Sequence, residues 1–334
     1  MDIINKVKNC IEENELLGKD DKVVLGLSGG PDSVCLYDIL IKLGYDVYPV
    51  HINHKLRPGD AELDQDFCIK LCDPESRHPL QVFTYDCNKI AEDYGITSEE
   101  AGRKVRYEAY DHVANILAKE YPREKVKIAT AHNANDQAET VLFRIMRGTG
   151  IDGLSGMPLE RKSDEGFSIV RPILGIDRKE IEKYCDRNGL NPCIDKTNLE
   201  PVYTRNKIRL ELLPLIEKKF NDNIFETLTR LADNARLDSD FLWKESKKSY
   251  LDCHLESDEE SLDIKKLQLL HPAIRYRVYN LALKEIGMTK DMSKVYLDSV
   301  DQIVFSSNGK AWTPIRKEYK VIREHNQLIF KKEK

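Results

Sequence analysis

The feature that most restricts how this 334-residue chain folds is an alternation of short apolar runs with helical patterns. The runs are KVVLGL (22–27), DVYPVHIN (46–53), LQVFTYD (80–86), KVKIATAH (125–132) and FSIVRPIL (167–174). Between and after them lie DSVCLYDILIKLG following Pro31, a polar segment with a helical middle, SEEAGRKVRYEAYDHVANILAKE (98–120), DQAETVLFRIMRG (136–148) and DRKEIEKYCDRNG (177–189). Short apolar runs bounded by turn residues read as buried strands, and apolar residues three and four apart read as helices. Strands alternating with helices of this length imply a parallel sheet wound by right-handed crossovers that put helices on its faces. The predicted fold class is therefore α/β, a parallel twisted sheet with helices on both faces, followed by a smaller, mainly helical domain.

The second domain is expected because the alternation stops near residue 210. From there LLPLIEKKFNDNIFETLTRLADNARLDSDFLWKESKKSYL and KKLQLLHPAIRYRVYNLALKEIG are helical, and KAWTPIRKEYKVIREHNQLIFKK alternates around EHN as a terminal hairpin. We place the domains at 1–213 and 214–334. The polar start, MDIINKVKNCIEENELLGKDD, reads as an amphipathic helix, and no window has the length and apolarity of a membrane span. A cytoplasmic protein with no membrane partner is expected. The eight cysteines include no C-x-x-C pair, which fits reduced, mostly buried thiols. A net charge of −5 taken as a total argues against a nucleic-acid partner, but leaves room for a local basic patch.

The first crossover carries chemistry. In LGLSGGPDS, the strand end is followed by Ser28, Gly29, Gly30, Pro31, Asp32 and Ser33 and then by a helix. Glycines at that position let backbone N–H groups and the helix N-terminus face an anion, so the loop reads as a phosphate cradle. It lacks the lysine of the Walker-A pattern and the G-x-G-x-x-G spacing of dinucleotide folds. Ser28 and Ser33 supply hydroxyls instead, and Asp32 is placed to take Mg²⁺.

These residues resemble the loop of the PP-loop, or N-type, ATP pyrophosphatase superfamily. Further blocks narrow the resemblance: HINHKLR (51–57), EEAGRKVRY (99–107), AHNANDQAETVLFRIMRGTGIDGLSGM (131–157), RPIL (171–174) and DKTNLEPVYTRNKIR (195–209). Taken in this order, from about residue 20 to 220, they are similar to the tRNA(Ile)-lysidine synthetase family. A thiolase of the same superfamily would need a C-x-x-C pair or a cysteine cluster.

The resemblance implies ATP and Mg²⁺ as cofactors, and tRNA(Ile) with a CAU anticodon and free L-lysine as partners; it leaves a homodimer open. It implies catalytic roles for Asp136, Glu139, Arg103 and Arg106. The ATP site would comprise Ser28, Gly29, Gly30, Pro31, Asp32, Ser33, His51 and His132, with Asp32 and Asp136 as Mg²⁺ ligands. Asp136, Glu139, Arg205 and Arg209 would bind lysine or tRNA. The residues fit such roles: Asp136 and Glu139 share a helix face, and Arg103 and Arg106 form an i, i+3 pair suited to clamping phosphates. Asn135 departs from the commoner family form, which is acidic there, so it is assigned no metal. His51 and His54, with Arg57 nearby, lack a third ligand for zinc, and contact with adenine or ribose is the expectation. The glycine-rich 147–157 would allow close approach of a substrate, and IRYRVYN (274–280) reads as a core helix before an RNA surface.

Overall fold

A computed structural model of the chain describes residues 2–55, 60–72, 77–193, 204–256, 259–288, 292–316 and 318–333. Its first part runs α1 (Ile3–Glu13), β1 (Lys22–Gly26), α2 (Pro31–Lys42), β2 (Asp46–Asn53), α3 (Asp60–Cys72), β3 (Gln81–Thr84), α4 (Cys87–Tyr94), α5 (Ser98–Leu117), β4 (Val126–Ala129), α6 (Ala134–Met146), α7 (Ile151–Leu154), β5 (Glu160–Lys162), β6 (Ser168–Val170) and α8 (Arg178–Arg187). The strands form one sheet in the order β3-β2-β1-β4-β6-β5. All pairs are parallel except β5 with β6.

The alternation of the sequence maps onto this sheet directly. Central β1 is covered on both faces, so Val23, Val24 and Leu25 are all fully buried and the strand reads as a continuous apolar run. On one face Val23 and Leu25 join Leu36, Ile39 and Leu40 of α2 and Ile181 of α8. On the other, Val24 joins Val50, Ile128, Ile169 and Val113 of α5. A side chain at Gly26 would put Cβ 1.9 Å from the Tyr110 hydroxyl, so glycine is what lets α5 press against the central strand.

Three strands are markedly shorter than their apolar runs implied: β3 covers Gln81–Thr84 of 80–86, β4 Val126–Ala129 of 125–132, and β6 Ser168–Val170 of 167–174. The fifth run was expected over 167–174, but β6 ends at Val170. Pro172 has no N–H to continue the ladder, and the chain turns, with Leu174 donating to Arg171 O and Ile176 to Ile173 O. The antiparallel edge strand β5, sequence ERK, has no apolar pattern and was not foreseen.

The remaining elements are α9 (Thr204–Lys207), a π-helical turn (Ile208–Leu212), α10 (Leu213–Lys219), α11 (Ile224–Cys253), β7 (Ser261–Asp263), α12 (Ile264–Leu269), α13 (Pro272–Glu285), α14 (Lys294–Phe305), β8 (Lys310–Ile315), β9 (Tyr319–Glu324) and β10 (Gln327–Lys332). The chain divides into two units, Met1–Asp233 and Asn234–Lys334. The helices after 213 begin within the first unit because Ile208, Leu213, Leu228 and Ala232 bury themselves against Ala138 and Val141 of α6. In the second unit, helices cover a four-stranded antiparallel sheet, β7-β10-β9-β8. The expected hairpin is β9–β10, with Glu324 opposite Gln327 and His325 in the left-handed region at φ 52°. Its IRYRVYN segment lies in α13, where Tyr279 is fully buried and Arg275 binds Asp301 through two hydrogen bonds of 2.6 and 2.9 Å.

Candidate active site

Strand order reverses between β1 and β4: β2 and β3 lie to one side of β1, whereas β4, β6 and β5 lie to the other. In sheets of this kind ligands bind outside the carboxyl ends of the strands at such a switch point. Ser28–Ser33 follows β1 and His132–Asp136 follows β4, so two of the sequence blocks meet there. A hydrogen bond of 2.8 Å from Asn133 Nδ2 to Asp32 Oδ1 joins them across 101 residues.

The loop is held by its own side chains. Ser33 Oγ accepts from Ser28 N (3.1 Å), lies 3.0 Å from Ser28 Oγ, and donates to Gly30 O (3.0 Å). Gly29 has φ +88°, and a Cβ there would press on Cys68 Sγ at 3.3 Å, so two independent constraints demand glycine. Pro31 opens α2, and the first turn carries Asp32, its carboxylate near the positive helix end.

The facing wall comes from α6 and the helix containing the π turn. Asn133 and Asp136 cap α6 reciprocally: Asp136 N donates to Asn133 Oδ1 and Asn133 N to Asp136 Oδ2, both at 3.1 Å. The other Asp136 oxygen, Oδ1, lies 2.8 Å from Arg209 Nη2 and 3.9 Å from Arg205 Nη2. Glu139, only 2% exposed, receives Arg209 Nε at 2.5 Å and Arg205 Nε at 3.3 Å. The two predicted pairs, Asp136 with Glu139 and Arg205 with Arg209, thus form one four-residue ionic cluster.

Burial and like charge set the titration of this pocket. Burial, and then the Asp136 carboxylate, push the Asp32 carboxyl up to about 6, against the opposing Asn133 hydrogen bond and the Arg178 and Arg209 charges. Burial likewise raises Glu139, with Arg209 opposing. His132 contacts Thr130 Oγ1 at 3.0 Å. Burial lowers its pKa to about 4, Asp136 opposes, and Arg171, Arg106 and Arg205 reinforce, so the ring is neutral at physiological pH.

Other predicted residues sit farther from the loop's open side. His51 is 3% exposed, and its Nδ1–H donates to Leu27 O at 2.9 Å, buttressing the loop from behind. His54 contacts Cys87 Sγ at 3.3 Å. Arg57 lies outside the described residues. Arg103 is exposed over the Tyr107 ring at 5.0 Å, and half-buried Arg106 acts on both His54 and His132. Asn135 accepts from Arg178 N at 3.1 Å and so anchors the start of α8. The glycine-rich segment contains α7 and is tied to α6, with Arg144 donating to Gly153 and Gly156 carbonyls and Gln137 pairing with the Met157 backbone. Sequence reasoning missed Asn133, although N-x-x-D before a helical run is a capping pattern. It also passed over Arg178, whose charge reaches Asp32.

The PP-loop domain family matches residues 1–216. A tRNA(Ile)-lysidine synthase of Clostridioides difficile strain 630 is 37% identical over 340 residues, covering 99% of this chain and 71% of that protein. The chain belongs to the tRNA(Ile)-lysidine synthase family. Another tRNA(Ile)-lysidine synthase, from Caldanaerobacter subterraneus subsp. tengcongensis, is 36% identical over 99% of this chain and 70% of its own length. That of Clostridium perfringens strain ATCC 13124 is 42% identical over 84% of this chain, a match spanning 59% of the relative. Among solved structures, the U34-tRNA thiolase NcsA from Methanococcus maripaludis superposes with a TM-score of 0.53 at 17% identity, over 69% of this chain and 77% of that one, which shows a shared fold.

The lysidine synthase site can be tested for the divalent cation that PP-loop chemistry implies. Among the described residues no three His, Cys, Asp or Glu side chains gather as a closed metal site. Asp32 and Asp136 oppose each other electrostatically across the switch point. Two carboxylates of this kind fit Mg²⁺, which keeps waters and takes its other oxygens from phosphates.

Proposed function

We propose that this chain forms lysidine at the wobble position of tRNA(Ile) bearing a CAU anticodon, converting its codon reading from Met to Ile. In the first step the carbonyl oxygen at carbon 2 of the cytosine attacks the α-phosphorus of ATP, and pyrophosphate leaves. In the second, the ε-amine of free lysine forms a C–N bond at carbon 2 while the C–O bond breaks and AMP departs with the oxygen. The wobble base leaves the anticodon stack at little cost because it is single-stranded.

The observation that carries this reading is the Asn133–Asp32 hydrogen bond, which unites phosphate loop and carboxylate wall at the switch point. Loop backbone N–H groups and the exposed Ser28 hydroxyl hold the ATP phosphates, and the buried Ser33 hydroxyl braces the loop from within. Asp32 and Asp136 would hold Mg²⁺, which neutralises phosphate charge when bound. Asp136 and Glu139 attract the lysine ammonium, and Glu139, raised by burial, is suited to take the proton the amine must lose before it attacks. Arg103 and Arg106 would supply positive charge to the reacting nucleotide, Arg106 already acting on His132, and Arg205 and Arg209 are counter-ions that would also meet ATP or RNA. The cytoplasm is the proposed location; no described helix is long and apolar enough to cross a membrane.

The test is to incubate the protein with ATP, labelled lysine and CAU-anticodon tRNA(Ile). Label should enter the RNA, with one AMP and one pyrophosphate released per lysine; label in a tRNA of another anticodon, or none at all, would refute the assignment.

A further inference from the structure

A second group of arginines stands beside the site without the carboxylates that neutralise Arg205 and Arg209. Arg103 of α5 and Arg161 of β5 place their guanidinium carbons 5.0 and 4.6 Å from the centre of the Tyr107 ring. Arg171, in the turn after β6, is 2% exposed. It donates to Pro158 O at 2.7 Å and is hydrogen-bonded to Tyr107, while its buried Nε has no hydrogen-bond partner among the described residues. None of Arg103, Arg106, Arg161 and Arg171 forms an ion pair among the described residues, whereas Arg178, Arg205 and Arg209 all do. Burial alone would raise the Tyr107 phenol, yet the Arg103 charge, a hydrogen bond from Arg161 and the charges of Arg161 and Arg171 outweigh it and hold the group below its ordinary value. Arg171 and Arg106 also act on His132, so their charges reach the switch-point pocket.

Guanidiniums collected in this way repel one another, and an unsatisfied buried donor is costly. Both penalties are relieved by an anion with several acceptor oxygens. The Ser28–Ser33 loop lies at the end of β1, and β5 is three strands away, on the order of 14 Å at ordinary strand spacing. A loop built to grip one anion and a cluster suited to a second would therefore stand about that far apart. A polynucleotide that offers one base to the switch point carries phosphates on both sides of that base. In a chain of net charge −5, a local patch of this kind is what polyanion binding requires.

We propose that Tyr107, Arg103, Arg161 and Arg171 form a phosphodiester-binding wall that grips the RNA backbone beside the nucleotide being modified. This rests on the lysidine-forming reading above. Arginine forks bind phosphate oxygens bidentately, and Tyr107 between two of them fixes their planes.

The test uses the full chain with Arg161→Gln and Arg161→Glu, Arg161 being on a short, partly exposed edge strand. Far-UV dichroism and melting confirm the fold of each variant. Affinity for CAU-anticodon tRNA(Ile) is measured across a salt series, and ATP affinity without RNA is measured separately. Arg161→Gln should weaken tRNA binding roughly tenfold, as loss of a charge-assisted contact does, and reduce the slope of log K against log salt by about 0.7, the share of one phosphate on a single strand. Arg161→Glu should weaken binding further, while ATP affinity holds in both. Unchanged tRNA affinity and slope would overturn the proposal, as would a fall in ATP affinity alone, which would assign the wall to the nucleotide. If the wild-type chain itself bound no tRNA(Ile), the functional reading would fall, and the wall's partner with it.

Discussion

Arg209 spans the two acidic side chains of α6, with Nε 2.5 Å from Glu139 and Nη2 2.8 Å from Asp136. Glu139 is almost wholly buried, so this guanidinium is what makes its charge tolerable. Removing one partner of a buried pair leaves the other uncompensated, which is far more damaging than the pair's net contribution. Arg209→Ala should therefore destabilise the chain by about 3 kcal/mol in urea unfolding. Adding Glu139→Gln should recover a large part of that loss; additive effects would show that the two groups do not depend on each other.

The same pair separates the two chemical steps. With the ammonium of lysine held by Glu139, Glu139→Gln should raise the KM for lysine roughly tenfold or more and change that for ATP by less than about twofold. Equal rises in both constants would point to a phosphate or metal role instead.

Ser33 ties the loop to itself through Ser28 N and Gly30 O. Ser33→Ala should lose adenylate formation by about a hundredfold, the order expected when the groups that position a substrate are displaced, while the melting temperature shifts by only a few degrees. Adenylation at the wild-type rate would show that the hydroxyl serves only packing.

Acid stability should reveal the buried histidines. Burial, then the charges of Arg106 and His51, push the His54 pKa down from 6.5 to about 4. The unfolded chain takes up its proton as pH falls through 6.5 but the folded chain only near 4, so stability is complete above 6.5 and is lost between those values. His54 contributes a slope of about 1.4 kcal/mol per pH unit in that window, and His132, also held near 4, contributes similarly. His54→Asn should flatten the dependence by one group's share; an unchanged profile in chemical unfolding would exclude it.

Gly26 and Tyr110 offer a packing test. Gly26→Ala would place Cβ 1.9 Å from the Tyr110 hydroxyl and should cost about 1–3 kcal/mol or more, as overpacking does. Pairing it with Tyr110→Leu should relieve part of the cost.

The loop around Asp32 was readable because everything that defines it is contiguous: an apolar strand, two glycines, a proline at the helix start and a hydroxyl. The parallel sheet was readable for the same reason, since burial on both faces writes itself as unbroken apolar runs such as KVVLG. β5 and β7 were not, because three-residue strands of sequence ERK and SLD carry no period at all. Nor could the sequence disclose that Arg205 and Arg209 neutralise Asp136 and Glu139, or that Asn133 reaches Asp32, because those partners are separated by between 66 and 101 residues. Their side-chain types were suggestive, but which charge meets which is decided by the order of strands.

The π turn at Ile208–Leu212 accommodates one more residue than an ordinary helical turn would. Because the wide turn absorbs that residue, the segments on either side keep nearly the facing they would have in a regular helix. Leu213 lies with Val141 and Ala138 on one side of the turn, and on the other Arg205 reaches Glu139. A one-codon deletion would narrow the turn and shift the side chains within it, while the packed end and the ion-paired end stay in register. In this segment the helix tolerates a change of length that a regular helix would transmit to everything beyond it.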